Sequence, residues 1–428
     1  MNKEILRLAI PNIISNISVP LLSTVDTALM GRMSELHIGA VGLGAMIFNF
    51  VYWNFGFLRM GTTGITAQAF GKGSNPEMAQ TLGRALLVAL ILAVLVLLIQ
   101  VPLSELSYYL MNTSDSQLGL VSEYFNIRIW AAPATLALYA IMGWFFGMQN
   151  AIFPLILTVF INVVNIICSV FFIKVWGMEV DGVAYGTLIA QYSGVALAIV
   201  LWFVKYGHLA KEMTFKAIRK IDKLKNFLTI NRDIFIRTFC LTFAFGFFYS
   251  QSSAAGASML AVNVILLQFL NWMSYGVDGF AFASESLIGK YKGANDHPNL
   301  KKSINYSFFW GMGMAFLISL VYVLFGVELI GVFTDKSELI EQATPFLFWM
   351  IIFPVLSTPC YIWDGIYIGL TASVAMRNTM ILALVVYLLA HYTLYHQFGN
   401  NGLWMALLIF MGARGIFQFV YYRMKLAI

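Results

Sequence analysis

Long apolar stretches recur along the whole chain and make lipid its main solvent. Ala85 to Gln100, for example, consists almost entirely of Leu, Val, Ile and Ala. Hydrophobic residues make up 60% of the 428 positions and charged residues only 11%, too few charges to cover a water-facing surface. Backbone polar groups must be paired inside hydrocarbon, so only helices or a closed barrel can span it, and unbroken apolar runs do not fit alternating barrel strands. The sequence therefore predicts an all-α membrane protein.

Twelve segments reach the length of about twenty apolar residues that a membrane-crossing helix needs. Those in the first half are 5–33, 38–70, 79–103, 119–146, 152–175 and 182–206. Those in the second half are 230–253, 258–290, 302–331, 340–370, 373–396 and 402–424. We expect an amino-terminal six-helix lobe over 1–206, a basic connector over 207–229 and a carboxy-terminal six-helix lobe over 230–428.

Successive loops lie on opposite sides of the membrane, and lysine and arginine are concentrated in the loops of one side. The loops on the other side are more acidic, with Glu105 and Asp115 in one and Glu338 and Glu341 in another. With an even number of spans, the positive-inside rule then predicts that both termini lie in the cytoplasm. The net charge of +6 follows from this topology, so we expect no nucleic-acid partner. The connector from His208 to Leu228 either lies along the membrane as a basic amphipathic segment or is a solvated linker.

The second half of the chain repeats motifs of the first at offsets of 218 to 222 residues. Gly61–Lys72 corresponds to Gly279–Lys290, and Gly143–Gly147 corresponds to Gly365–Gly369. Each copy has six spans, an even number, so the copies share one topology. Such parallel repeats are related by an axis along the membrane normal and enclose a cavity between two lobes.

Asp26 lies deep in the first span and has no basic residue within a helical turn. An ionisable group at this depth is costly and is a functional candidate by default. Desolvation favours the neutral carboxyl, so Asp26 can take up a proton or bind a cation; the alternative is a carboxyl that only fixes helix packing. Pro11 in the same span permits a kink, either as part of a switch or as a static bend.

Other polar residues in the spans share helix faces. Asn162, Asn165 and Ser169 are spaced by three and four residues, and so lie on one face of the fifth span. Thr187 and Gln191 form a similar pair in the sixth. Such stripes either line a site or bind helices together.

The second half offers three acidic candidates for the cavity. Asp278 and Glu285 are seven residues apart on one face of the eighth span, and Asp364 lies in the tenth. Arg59 in the second span either neutralises a carboxylate or contacts substrate. The sequence contains no phosphate-binding loop, metal-ligand cluster or nucleophile–base arrangement, so we expect neither an enzyme nor a cofactor.

The order of several motifs resembles the multidrug and toxic compound extrusion (MATE) family of transporters. They include Leu8–Ile13, Val25–Gly31, Gln68–Gly73 and Gly143–Asn150. Tyr275–Ala283 resembles the branch of this family named for DNA-damage-inducible protein F. The resemblance covers essentially the whole chain. It implies two six-helix lobes in a V and export of amphipathic, often cationic compounds in exchange for protons or sodium.

The resemblance also implies a cation site in the amino-terminal lobe. The family's first-helix Asp and kinking Pro match Asp26 and Pro11. Its further site residues match Tyr124, Asn165 and Thr187, but the second carboxylate of the site falls at Ser169. A site with one carboxylate binds sodium less strongly than one with two, which favours proton coupling, with sodium near Asp26 as the alternative.

We therefore expect a secondary antiporter that exports small amphipathic, cationic drugs or metabolites and functions as a monomer. The alternative is a lipid-linked precursor flippase of the same broad superfamily. An anionic substrate would require a strongly cationic cavity, and few basic residues lie inside the spans, mainly Arg59, Arg128, Arg237 and Arg414.

Overall fold

The structure is a computed structural model. It describes residues 1–30, 34–111 and 113–426, except for the side chains of 19–30 and 35. The described residues form helices joined by short turns, and no strand occurs among them.

Ten α-helices begin in the first half of the chain. They are α1 (Asn2–Met30), α2 (Glu35–Asn54), α3 (Phe57–Gly71), α4 (Asn75–Leu98), α5 (Gln100–Leu110), α6 (Asp115–Arg128), α7 (Ala132–Gly147), α8 (Ile152–Lys174), α9 (Val180–Tyr206) and α10 (Phe215–Ile218). Short 3₁₀ turns at Ile129–Ala131 and Gly207–Glu212 follow α6 and α9.

Seven α-helices follow in the second half. They are α11 (Ile221–Ala254), α12 (Ala257–Gly293), α13 (His297–Phe333), α14 (Ser337–Ala343), α15 (Leu347–Gly369), α16 (Ser373–Phe398) and α17 (Asn400–Tyr421). A 3₁₀ turn at Thr344–Phe346 joins α14 to α15, and the π-helical turn Tyr422–Leu426 ends the described chain.

Eleven segments of the described chain are long and apolar enough to cross a membrane. They are Leu36–Gly71, Asn75–Leu98, Asp115–Gly147, Ile152–Lys174, Val180–Glu212, Ile221–Ala254, Ala257–Gly293, His297–Phe333, Ser337–Gly369, Ser373–Phe398 and Asn400–Leu426. With α1, they match the twelve predicted spans in order. The predicted all-α membrane fold is confirmed, and the chain is a multi-pass membrane protein.

The chain divides into two compact units whose boundaries differ from the predicted lobes. The first unit consists of Ile14–Leu228, and the second of Met1–Ile13 together with Thr229–Ile428. The start of α1 thus packs with the second half of the chain, where Lys290 Nζ donates to Glu4 Oε1 at 2.9 Å and Gly279 faces Ile13. The connector packs with the first unit, because Arg84 on α4 donates hydrogen bonds to two backbone carbonyl groups of the connector.

Left-handed backbone turns recur in the two units at a constant offset. Three pairs of residues have positive φ between 52° and 67°, and the members of each pair are 222 residues apart. The pairs are Gly73 with Asn295, Gln149 with Thr371, and Gly177 with Gly399. Each residue lies in a turn between two helices, where a left-handed residue ends one helix and redirects the chain. The repeat read from the sequence is therefore also a repeat of backbone geometry.

Close helix contacts repeat at the same offset. A Cβ on Gly143 would lie 2.4 Å from the carbonyl oxygen of Arg59, and one on Gly365 would lie 2.2 Å from that of Ala281. Both pairs are again related by 222 residues. Small residues let membrane helices approach closely, since packing rather than a hydrophobic force holds them together in lipid. In this way α7 packs on α3 in one unit and α15 on α12 in the other.

Candidate functional site

A line of polar side chains joins α1 to α8 inside the first unit. Ser15 Oγ donates to Thr158 Oγ1 at 2.9 Å. One turn further along both helices, Asn162 Nδ2 donates to the carbonyl oxygen of Ser18 at 3.2 Å. The bonded partners are 143 and 144 residues apart. The two helices therefore run in the same direction with a fixed register.

The line continues along α8 into a buried polar pocket against α9. Asn165 and Ser169 are completely buried. Asn165 Nδ2 donates to Thr187 Oγ1 at 2.8 Å, and Thr187 Oγ1 donates to the carbonyl oxygen of Val183 at 3.0 Å. A Cβ on Gly186 would lie 2.4 Å from Ser169 Oγ, so only glycine lets α9 approach this hydroxyl. The structure thus brings three of the predicted site residues together.

Two polar atoms of this pocket have no hydrogen-bond partner among the described residues, namely Asn165 Oδ1 and Ser169 Oγ. A buried polar atom left unpaired costs about 1–3 kcal/mol, so such atoms call for a partner. Here an amide oxygen and a hydroxyl converge on one face of α8. They are able to accept hydrogen bonds from a protonated acid or to ligate a small cation.

Asp26 and Pro11 both lie in α1, the helix that carries this polar line. The backbone of Asp26 is helical, whereas its side chain lies outside the described residues. Pro11 is inside α1, two residues before the division between the two units at Ile13 and Ile14.

Among the described residues, Tyr124 packs against α2. Its ring centroid lies 6.3 Å from that of Phe48, and a Cβ on Gly44 would lie 2.4 Å from Tyr124 Cδ1. Arg128, one turn later, stacks over the rings of Phe48 and Tyr52 at 5.3 and 5.5 Å. The role of Tyr124 in cation binding stays a prediction.

Two further candidates of the first unit lie on α9 and α3. Gln191 is half-buried, one turn after Thr187. The Arg59 guanidinium lies 5.7 Å from the ring centroid of Phe146, within the range of a cation–π contact. Their contact with substrate stays a prediction.

Asp364 lies in a buried ion cluster of the second unit. Arg237 on α11 donates to Asp364 Oδ2, and Arg414 Nη2 on α17 donates to the same oxygen at 2.7 Å. Gln418 Nε2 donates to Asp364 Oδ1 at 2.6 Å. All four side chains are buried, and the Arg414 guanidinium also faces the Phe410 ring at 5.5 Å. These contacts fix α11, α15 and α17 to one another, whereas the predicted role of Asp364 in the cavity stays a prediction.

Asp278 and Glu285 lie on α12, as the seven-residue spacing predicts. Asp278 is half-buried, and Glu285 is almost completely buried. A Cβ on Gly369 would lie 2.7 Å from the carbonyl oxygen of Glu285, so α15 packs tightly on this stretch of α12. Their contribution to a substrate cavity also stays a prediction.

The polar line also includes Ser15, Ser18 and Thr158, which are not among the site residues predicted from the sequence. Their spacing of three on α1, and of four from Thr158 to Asn162 on α8, was a usable signal. No partner was predicted from the sequence for Arg237 and Arg414, which the structure shows bonded to Asp364. One carboxylate opposite two arginines inside apolar spans was the available clue, since buried charges require counter-ions.

Comparisons with known proteins find relatives along both halves of the chain. A sequence model of the MatE family matches residues 11–171 and 234–394, one match in each half. The chain is 36% identical to DNA damage-inducible protein F of Escherichia coli (strain K12), over 97% of this chain and 90% of that protein. It is 25% identical to Protein DETOXIFICATION 44, chloroplastic, of Arabidopsis thaliana, over 96% and 80% of the two chains.

A solved structure shows the same fold at low sequence identity. A multidrug resistance MATE family transporter of the MOP superfamily, in an outward-facing conformation, superposes with a TM-score of 0.90. The alignment covers 99% of this chain and 96% of that one at 19% identity. The chain therefore belongs to the MatE family, whose members are membrane transporters and not enzymes.

Proposed function

We propose that this transporter exports small amphipathic cations in exchange for protons, with Asp26 as the proton carrier. The observation that carries the proposal is the polar line between α1 and α8, which ends in the pocket formed by Asn165, Ser169 and Thr187.

The register between α1 and α8 supports a position for Asp26 beside this pocket. Ser15 is bonded to Thr158 and Ser18 to Asn162, an offset of 143 to 144 residues. The same offset brings Asp26 level with Ser169. Asp26 is also eleven residues after Ser15, about three helical turns, which returns it to nearly the same face of α1. The register therefore favours a site shared by Asp26 and the pocket on α8.

The chemistry of the pocket favours a proton over sodium. Sodium is best held by several oxygens with at least one full charge to offset its dehydration. Around one carboxylate, the described residues of this pocket add neutral oxygens from Asn165, Ser169 and Thr187. A protonated carboxyl instead needs a single acceptor for its O–H, and the unpartnered Asn165 Oδ1 is suited to that role.

Coupling then follows from the charge of one side chain. Protonated, Asp26 is neutral and is easily buried against α8; ionised, it costs several kcal/mol in a dry pocket and favours the lobe arrangement that admits water. One charge crossing 100 mV supplies about 2.3 kcal/mol, and a tenfold proton gradient adds about 1.4 kcal/mol. For an uncharged substrate, one proton per cycle could use both terms and would sustain a gradient of roughly five-hundredfold. Exchange of one proton for one monovalent cation moves no net charge, so only the proton gradient contributes and sustains roughly a tenfold substrate gradient.

The arginines inside the spans weigh against the alternative of a lipid-linked anionic substrate. Arg237 and Arg414 are bonded to Asp364, and Arg128 is stacked on Phe48 and Tyr52. These guanidinium groups are engaged with partners within their own unit. We therefore favour a cationic substrate over an anionic one.

The test is uptake of tetraphenylphosphonium into proteoliposomes with pH and sodium gradients imposed separately. The proposal expects uptake to follow the pH gradient and to be unaffected by the sodium gradient. Asp26→Asn should abolish uptake against a gradient, whereas Asp115→Asn, the same change at an exposed carboxylate, should leave it within about twofold of the wild type. Uphill transport that persists in Asp26→Asn, or that follows only sodium, would refute the proposal.

A further inference from the structure

The connector between the two halves holds exposed apolar side chains inside its most basic stretch. Phe215 and Ile221 are 67% and 78% exposed. Between them lie Lys216, Arg219 and Lys220, which are exposed as well. We call these five residues the connector surface. From 208 to 228 the connector has six basic and two acidic residues, a formal charge of +4.

The connector is packed against the first unit by hydrogen bonds and side-chain contacts. Arg84 Nη2 donates to the carbonyl oxygen of Ala217 at 3.0 Å, and Arg84 Nε donates to that of Ile218 at 3.3 Å. Arg84 thereby satisfies carbonyl groups at the end of the short helix α10, which have no partner within that helix. Ile218 packs on Gly83, where a Cβ would lie 2.5 Å from its Cδ1.

Two more contacts hold the residues before and after α10 against the first unit. Before α10, Leu209 is buried in the core of the first unit, together with Trp202 and Tyr206. After it, Lys223 Nζ lies 3.4 Å from Glu77 Oε1 near the start of α4. The connector surface therefore has a defined position on this unit.

The connector surface lies level with the start of the long apolar run of α4. Arg84 is the last charged residue of α4, and the apolar run from Ala85 to Leu98 starts directly after it. Since α4 begins at Asn75, Arg84 lies about 14 Å along the helix, at a rise of about 1.5 Å per residue. The carbonyl groups bonded to Arg84 thus lie level with the start of this apolar run, the depth expected of lipid headgroups.

From this geometry we propose that the connector surface binds anionic lipid headgroups of the adjacent leaflet. Lys216, Arg219 and Lys220 pair with headgroup phosphates, while Phe215 and Ile221 insert their side chains at the acyl boundary. A basic segment with exposed apolar side chains at interfacial depth has the chemistry of a membrane-surface anchor. This interaction depends on neither the coupling ion nor the transported substrate.

The first test measures binding of dioctanoyl phosphatidylglycerol and dioctanoyl phosphatidylcholine to the purified protein by native mass spectrometry. Each basic residue at an anionic surface contributes about a fivefold factor. Lys216→Gln with Lys220→Gln should weaken binding of the first phosphatidylglycerol at least about fivefold and leave phosphatidylcholine unchanged. The control is Lys301→Gln with Lys302→Gln, an equal loss of charge at exposed positions of α13, which should change it less than about twofold. Equal effects of the two double variants would overturn the proposal.

The second test locates Phe215 directly. A spin label at Phe215→Cys is introduced after replacing Cys168, Cys240 and Cys360 by alanine, and the protein is reconstituted in vesicles of phosphatidylcholine and phosphatidylglycerol at 3:1. The label should be more accessible to oxygen than to a water-soluble nickel complex. The same label at Ala294→Cys, an exposed position in the turn between α12 and α13, should show the reverse. Equal access of the nickel complex to both labels would place Phe215 in water and contradict the proposal.

Discussion

The close packing of α7 on α3, and its repeat in α15 on α12, gives a direct test of the repeated architecture. Gly143→Ala would put a Cβ 2.4 Å from the carbonyl oxygen of Arg59, and Gly365→Ala would put one 2.2 Å from that of Ala281. Ordinary van der Waals contact begins at 3.4 Å. The helices must therefore separate by about 1 Å, because the obstructing atoms belong to backbone and cannot change rotamer.

The expected magnitude follows from two opposing effects. Overpacking of this kind costs about 1–3 kcal/mol, whereas replacing glycine by alanine inside a helix gains up to about 1 kcal/mol. Gly42→Ala and Gly412→Ala are the matched controls, because no atom lies within 4 Å of a Cβ built there. These controls should be neutral or slightly stabilising, and the two contact variants should be clearly destabilised.

The assay is thermal unfolding of each purified variant in one detergent, followed by intrinsic tryptophan fluorescence. At about 2–4 °C for each kcal/mol, Gly143→Ala and Gly365→Ala should each lower Tm by several degrees. The two losses should be similar, since the contacts are related by the repeat. If Gly143→Ala raised Tm as much as Gly42→Ala, the close approach of α7 to α3 would be wrong.

Three further changes test other parts of the account. Ser169→Asp adds a second carboxylate to the pocket on α8 and should make tetraphenylphosphonium uptake respond to an imposed sodium gradient; uptake that still follows only the pH gradient would contradict the proposed site. Asp364→Asn leaves two buried guanidinium groups without their counter-ion and should cost about 3–5 kcal/mol, whereas Glu77→Gln removes half-exposed ion pairs worth no more than about 1 kcal/mol; similar Tm values for the two variants would refute the buried cluster. Asp296 caps α13 by accepting from the backbone N–H of Asn299 at 3.1 Å, and its hydrogen bonds from Asn299 hold the pKa of this carboxyl below its usual value. Its stabilising effect should therefore be present above about pH 4 and disappear as pH falls further, so Asp296→Ala should lower Tm at neutral pH and not in strong acid.

Hydropathy predicted most of the helix positions but not all of their ends. The span predicted at 152–175 is the helix Ile152–Lys174, and that predicted at 373–396 is Ser373–Phe398. The seventh span was predicted to begin at 230, whereas its helix begins at Ile221. Hydropathy reports where a helix enters hydrocarbon, and α11 starts with polar residues, such as Asp222, before that point.

The repeat was also visible in the sequence, although its offset was less regular there than in the structure. Motif matches gave offsets of 218 to 222, while the left-handed turns and the glycine contacts agree on 222. Side chains diverge between repeats, but the positions where only a left-handed or a very small residue fits are fixed by backbone geometry.

Contacts between distant spans could not be derived from spacing within one helix. Asn165 and Ser169 were predicted to share a face, and that is what the structure shows, but the bond from Asn165 to Thr187 depends on how α9 packs on α8. Asp364 and Arg237 are 127 residues apart, so their pairing requires the neighbours of each helix in the bundle to be known.

The most direct test of the account is whether Asp26 changes its protonation state during transport. Infrared difference spectra of the reconstituted protein between low and high pH report the carbonyl stretch of protonated carboxylic acids. We expect a band that is absent in Asp26→Asn, retained in Asp115→Asn, and reduced when tetraphenylphosphonium is bound. A spectrum that is the same in the wild type and in Asp26→Asn, across the pH range in which transport is active, would contradict proton carriage by this residue.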